Sequence, residues 1–231
     1  MRWPFKIWER QYYLEPLLVF VLCIALLISL KQRKMYKILR WMPIYIVSLM
    51  VVYASGSFID KKQHPFFLRI CEYIDYAFTT IELVIFSIFY YQFIANLIVK
   101  RLIIFLNIGF CLFSFYLFFS ENGFYRSPSQ TIKSTVYTVE GVILLAISLY
   151  YFIELFKKPF NLNLKNDPVF WISAGVFFFF ACTLPYSLLE NFINRNYYEL
   201  FDPFYSIFYI FYILLFLMII RAYLCKPEKM I

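Results

Sequence analysis

Residues 72–98 read EYIDYAFTTIELVIFSIFYYQFIANLI, an apolar run long enough to cross a bilayer that carries three carboxylates in its first half. On a helix Glu72, Asp75, Thr79 and Glu82 fall at i, i+3, i+7 and i+10 and so share one face. A charge near the centre of a bilayer costs about 3 kcal/mol on insertion scales unless it meets protein, water or a partner. The acidic face is therefore expected to point into a helical bundle, with this run as one span among several.

Composition points the same way. Of the 231 residues 63% are hydrophobic, and mean hydropathy is +0.69, whereas soluble domains use roughly 45–50% apolar residues. Such a chain has more apolar surface than one globular core can hide, so lipid is expected to be its solvent. Apolar segments recur between short polar joints and read as seven spans: 13–30, 38–59, 72–98, 102–119, 133–156, 168–189 and 203–224. Each approaches the roughly 20 residues that a bilayer requires. Turn chemistry marks joints at Glu121-Asn122-Gly123, Ser127-Pro128-Ser129 and Asn161-Leu162-Asn163.

The expected fold class is thus all-α, a polytopic membrane bundle of seven transmembrane helices over 13–224. Residues 1–12, with Arg2, Lys6 and Arg10 set apart from Trp3, Ile7 and Trp8, read as an interfacial amphipathic segment, and 225–231 as a short tail.

The net charge of +8 is explained by topology rather than by nucleic acid, because basic residues cluster beside span ends, as at Lys31-Gln32-Arg33-Lys34, Lys100-Arg101 and Lys157-Lys158. Seven spans place the termini on opposite faces. Nine Lys and Arg fall on the N-terminal side and thirteen on the other, which predicts an external N-terminus and a cytoplasmic C-terminus in a bacterial inner membrane. Glu15, Asp60, Glu72, Asp75, Glu82, Glu121, Glu140, Glu190, Glu199 and Asp202 all fall on the outer half or the outer loops.

Several chemistries lack their residues. The five cysteines have no C-x-x-C spacing and His64 is the only histidine, so no zinc site is read. The last span has no lysine for a retinal Schiff base, and neither H-E-x-x-H nor a glycine-rich phosphate loop occurs. No catalytic residue, metal or cofactor is assigned.

The chain carries a faint internal echo. Tyr12-x-x-Glu15 matches Tyr137-x-x-Glu140, Trp41 and Asp60 match Trp171 and Glu190, and Glu72-x-x-Asp75 matches Glu199-x-x-Asp202, at offsets of 125, 130 and 127. Such an echo suits a 3+1+3 arrangement of parallel halves.

Glu82 and Glu140 are the deepest acids, each about 10 to 15 Å from its outer span end at 1.5 Å per residue. They are expected to line an outward-facing cavity for a small polar or cationic ligand, with Asp75 and Glu15 at its mouth and hydroxyls from Thr79, Tyr137 and Tyr209. Tyr205, Tyr209 and Tyr212 make a stripe at i, i+4 and i+7. Pro185 is expected to kink span 6, and Pro43 to mark the first turn of span 2.

Asp167-Pro168-Val169-Phe170-Trp171-Ile172-Ser173-Ala174-Gly175-Val176-Phe177, together with Ile81-Glu82-Leu83, resembles segments of uncharacterised seven-span bacterial integral membrane proteins. The resemblance implies a fold and a membrane location but no activity. On physical grounds Asp167 suits a helix N-cap, Pro168 the first helical position, Trp171 an interfacial belt and Gly175 a close helix approach.

Four functions remain open. A receptor or sensor would act through a signalling partner protein, since no effector domain follows Ile231. A transporter of the 3+1+3 kind, an intramembrane enzyme using Asp75, Glu82 or Glu140 as acid and base, and a structural subunit are the others. Only five glycines in the whole chain suggest a stiff bundle, which favours sensing over transport.

Overall fold

The computed structural model describes residues 8–32, 39–57, 65–120, 130–157, 164–196 and 198–225, with side chains described from Tyr13 onward except at 55–57, 65–69, 71, 72, 75, 130–132, 191, 194–196 and 198–205. Among these residues there are seven α-helices and no strand. They are α1 (Trp8–Gln32), α2 (Met42–Ser57), α3 (Pro65–Phe93), α4 (Leu97–Ser120), α5 (Gln130–Phe156), α6 (Pro168–Asn196) and α7 (Tyr198–Leu224), with a 3-10 turn, Leu164–Asn166, ahead of α6. The expected interfacial segment lies outside the described residues apart from the backbone of 8–12, which continues directly into α1.

Among the described residues five helices contain stretches long and apolar enough to cross a membrane: Tyr13–Gln32, Leu97–Ser120, Lys133–Phe156, Pro168–Glu190 and Ser206–Leu224. The chain is therefore all-helical and compatible with a multi-pass membrane protein. α2 is apolar but short, with Met42–Ala54 as its apolar part. α3 is long, at 29 residues.

Several helix ends differ from the spans read in the sequence by a few residues, α1, α4 and α7 starting earlier at Trp8, Leu97 and Tyr198, and two differences matter for the packing. The third segment ends at Phe93 rather than at 98, because Ile94-Ala95-Asn96 turns the chain and the Asn96 side chain accepts a 2.9 Å hydrogen bond from the Ile98 amide, capping α4. Lys100 and Arg101 consequently lie in the first turns of α4 rather than in a joint. The sixth segment runs past 189 to Asn196, and α7 begins at Tyr198.

The helices close into a ring in which α1, α2, α3, α5, α6 and α7 each pack on the next, and α7 packs back on α1. α4 leans on α3 and α5 from outside. Only 17% of its apolar window is buried, against 56% for α6, so α4 is peripheral and α6 central. Two glycines make the central packing possible. A Cβ on Gly175 would sit 2.9 Å from Leu215 Cδ1 and 3.2 Å from Met218 Cβ, and one on Gly141 would sit 2.9 Å from Leu184 Cδ1. α7 and α5 thus approach α6 at van der Waals distance, and Gly175 plays the part expected of it.

The helix ends are tied at both poles. At the pole marked by Leu224, Tyr223 donates to the Leu39 carbonyl at 2.9 Å, Trp171 Nε1 donates to the Lys165 carbonyl at 3.0 Å, and the Ala95 amide donates to Glu154 at 3.2 Å. Asp167 accepts from the Val169 amide at 2.9 Å, the expected N-cap, with Pro168 opening α6. Arg40 lies over Trp41 at 4.9 Å and Arg221 over Trp171 at 5.6 Å, forming a belt of cation and ring pairs of the kind found at membrane interfaces. At the opposite pole Ser134 donates to the Ser187 carbonyl, and Tyr76 donates to the Ser114 carbonyl at 2.6 Å.

Candidate functional site: a buried carboxyl pair

Glu82 enters the ring from α3 and Glu140 from α5, and they are 2% and 1% exposed. Both line one cavity, together with Tyr137 and Gly141 of α5, Phe179, Phe180, Thr183, Leu184 and Ser187 of α6, and Phe208 and Tyr212 of α7. The space open to the centre of a water-sized sphere is about 10 Å³, enough for about one water molecule.

The depth of the pair follows from helix geometry. The rings of Tyr90 and Tyr151 meet at 6.1 Å, which sets α3 and α5 at a common level. Glu82 lies eight residues and Glu140 eleven residues beyond that level, about 12 and 16 Å at 1.5 Å per residue. The two carboxyl groups thus differ in height by about one helical turn.

Glu82 is held by a buried hydrogen bond of 2.7 Å from the Tyr45 hydroxyl of α2 to Oε1. The Tyr45 ring is itself fixed by near-parallel contacts with Phe78 at 5.9 Å and Phe216 at 5.6 Å, and by the edge of Phe86 at 5.0 Å. Phe216 continues the stack to Tyr212 at 6.3 Å, and Tyr212 meets Phe179 at 4.3 Å. Tyr45, Phe86 and Phe216 therefore form an aromatic floor beneath the carboxyl pair on the Leu224 side. Glu140 is held differently, because its Oε1 is buried with no hydrogen-bond partner among the described residues. Its electrostatic neighbour is Glu82, so charge balance at this depth calls for a proton or a cation.

α6 is unusual beside the cavity. Pro185 lies inside the helix and has no amide to donate to the Ala181 carbonyl. Around it Thr183 Oγ1 donates to the Phe179 carbonyl at 2.8 Å and Ser187 Oγ to the Thr183 carbonyl at 3.3 Å. Their hydroxyls are thereby spent on the helix's own backbone.

Of the residues that the sequence nominated, Glu82, Glu140 and Tyr137 come together. Thr79 is buried one turn away on α3, and Tyr209 is buried on α7 with its ring 6.0 Å from that of Tyr53. Neither Thr79 nor Tyr209 lines the cavity. Glu15 is half-buried on α1 and also stands apart from the cavity. The side chains of Asp75, Glu72 and Tyr205 and the whole of His64 lie outside the described residues.

Sequence reasoning missed Tyr45, Thr183, Ser187 and Phe179. The signal for Tyr45 was faint, one of several hydroxyls in a largely apolar helix, three residues from its start. That for Thr183 and Ser187 was clearer, two hydroxyls at i and i+4 flanking an internal proline.

Among the described residues no three His, Cys, Asp or Glu side chains gather as metal ligands do. No protein-family model, no curated protein and no solved structure matches the chain. Fold and site together define an all-helical bundle of multi-pass, membrane-like character that buries two carboxyl groups in one cavity.

Proposed function

We propose that this chain is a seven-span receptor or sensor that binds a small ligand at the Glu82–Glu140 pair and passes the change to a partner protein. The observation that carries the reading is Glu140 Oε1, unpartnered among the described residues, beside Glu82 in a cavity lined by α3, α5, α6 and α7. A cation, or a ligand that donates hydrogen bonds, satisfies that oxygen and balances the pair. α2 and α3 complete the seven spans, because both belong to the same ring as the strongly apolar helices.

Orientation rests on charge. Lys31, Arg40, Lys100, Arg101, Lys157, Lys165 and Arg221 gather at the Leu224 pole, and over the full sequence thirteen Lys and Arg fall toward that pole against nine toward the other. That bias supports a cytoplasmic Leu224 pole in a bacterial inner membrane. The likeness of Asp167 to Phe177 to seven-span bacterial membrane proteins accords with it.

The geometry offers a transmission route. A ligand that takes up Glu82 competes with the Tyr45 hydroxyl and releases the ring that braces Phe216. α7 is then free to shift at the end where Arg221 and Tyr223 tie it to Trp171 and Leu39. Because the cavity admits about one water, a larger ligand requires α6 to yield, and Pro185 has already removed one backbone hydrogen bond there.

The reading is tested with purified protein in nanodiscs, by thermal unfolding and calorimetry against a panel of monovalent cations and short primary amines. At least one should stabilise the wild type, with affinity at least tenfold weaker in Glu82→Gln and Glu140→Gln. Equal stabilisation of the wild type and both variants, or of none by any compound, overturns it.

One arrangement favours a second reading, transport. A step of three places round the ring takes α1, α2 and α3 onto α5, α6 and α7 and leaves α4 outside. Thr79 with Ser206, both buried, keeps the offset of 127 that relates Glu72 to Glu199. Trp41 and Trp171 both lie under arginines. These features support a 3+1+3 parallel repeat. Counterflow of a bound amine in proteoliposomes, abolished in Glu82→Gln, would establish transport, whereas binding without flux keeps the sensor.

A further inference from the structure

A groove adjoins the carboxyl cavity. It runs between α6 and α7, is lined by Cys182, Pro185, Tyr186, Leu189, Ile193 and Ile207, and encloses about 90 Å³, against about 10 Å³ beside the acids. Cys182, Pro185, Leu189 and Ile207 are exposed on the outside of the bundle, so in a membrane the groove opens toward acyl chains. Thr183 and Phe208 line both spaces. The Phe208 ring, half-buried and packed 5.4 Å from Phe179 and 5.2 Å from Tyr212, is the partition between them. A change in its rotamer joins an apolar trough to a polar chamber.

A freely water-soluble ligand would gain little from such a trough. A molecule with an alkyl chain and a donor-bearing, positively charged head matches both parts, since the chain buries apolar area and the head meets a carboxyl oxygen that has no hydrogen-bond partner among the described residues. We infer that the ligand is a primary ammonium carried on an alkyl chain, arriving sideways from the bilayer between α6 and α7, with its chain in the groove and its N–H donors on Glu140. The inference rests on the sensor reading above and adds the class of ligand and its path. Two sources share this chemistry, a long-chain amine and an amine-headed phospholipid.

The test uses the full chain in nanodiscs and three photoactivatable probes that carry a diazirine on the chain: hexadecylamine, a phosphatidylethanolamine, and hexadecanol as the uncharged control. Crosslinks are mapped by mass spectrometry. At least one amine probe should label the segment 182–193 or 207–208 at least tenfold more than the alcohol does. Labelling should fall at least tenfold in Glu140→Gln and in the groove-filling variant Ile207→Trp, with Leu189→Trp as the alternative should the first not fold. Which amine probe labels tells the free amine from the phospholipid.

Equal labelling by the alcohol, or undiminished labelling of Glu140→Gln, overturns the inference and leaves a surface wetted by ordinary lipid. If butylamine stabilises the wild type but not Glu140→Gln while the groove stays unlabelled, the sensor reading stands and the lateral path fails. If neither occurs, both fail.

Discussion

The Tyr45 hydroxyl donates a 2.7 Å hydrogen bond to Glu82 Oε1, joining α2 to α3 in the interior of the ring across 37 residues of sequence. Tyr45→Phe keeps the stacked ring and removes only the donor, leaving a buried carboxyl oxygen without its partner. The expected cost is about 1 to 3 kcal/mol, read as a lower unfolding midpoint in detergent. Adding Glu82→Leu to Tyr45→Phe removes both polar groups and should recover most of the loss. An unchanged midpoint in the single variant would mean that the bond contributes nothing.

The three described glycines make an ordered series. Gly175→Ala drives a Cβ to 2.9 Å from Leu215 Cδ1 and 3.2 Å from Met218 Cβ, and a Cβ cannot swing away, so overpacking should cost about 1 to 3 kcal/mol. Gly141→Ala meets chiefly the flexible tip of Leu184, with Phe180 at 3.4 Å, and should cost less. Gly109→Ala has nothing within 4 Å on the outer helix α4 and should gain up to about 1 kcal/mol from helix propensity. Thermal unfolding of the three proteins checks the order, and a Gly175→Ala protein as stable as Gly109→Ala would contradict the packing.

The class of fold was legible because hydropathy and length act locally. A run such as Ile85–Tyr90 is apolar wherever it lands, and the acidic face of α3 must turn inward whatever its neighbours are. The meeting of Glu82 with Glu140 was half legible, since depth could be counted from span ends but the neighbours of α3 could not. The N-cap at Asp167 and the close approach at Gly175 were readable from a few adjacent residues. Tyr45 was not, because its role depends on α2 lying beside α3 with a particular rotation, and one tyrosine in a helix carries no record of that. The end of α3 was misplaced for a related reason. The turn at Ile94–Asn96 has no proline or glycine to announce it, and it is stabilised from a distance by Glu154 of α5.

The caps give a local test. Asp167 caps α6 through the Val169 amide, and Asn96 caps α4 through the Ile98 amide. Replacing either with alanine should cost about 1 kcal/mol, concentrated at that helix end. Hydrogen exchange should accelerate about tenfold or less at the first-turn amides of the affected helix while the centre of α3 is unchanged. Acceleration spread evenly through the bundle would show that these side chains act by some route other than capping.

Not every unsatisfied buried group should carry function, and the bundle offers a comparison within itself. Tyr90 Oη and Ser173 Oγ are buried with no hydrogen bond of good geometry among the described residues and meet each other and Ser148 only loosely, one turn or more below the aromatic floor and away from the cavity. Glu140 Oε1 is buried without one at the cavity wall. The double variant Tyr90→Phe/Ser173→Ala removes both members of that loose pair at once, so stability should hold or rise by about 1 kcal/mol, with amine binding intact. Glu140→Met should likewise raise the unfolding midpoint, since an unpartnered carboxyl is costly to bury, yet it should abolish binding. A residue that weakens the fold and is required for the ligand is what a stability–function trade-off predicts. If Glu140→Met lowers stability as much as a core truncation would, then Glu140 is a structural acid with a partner of its own, and the two classes of buried group are one.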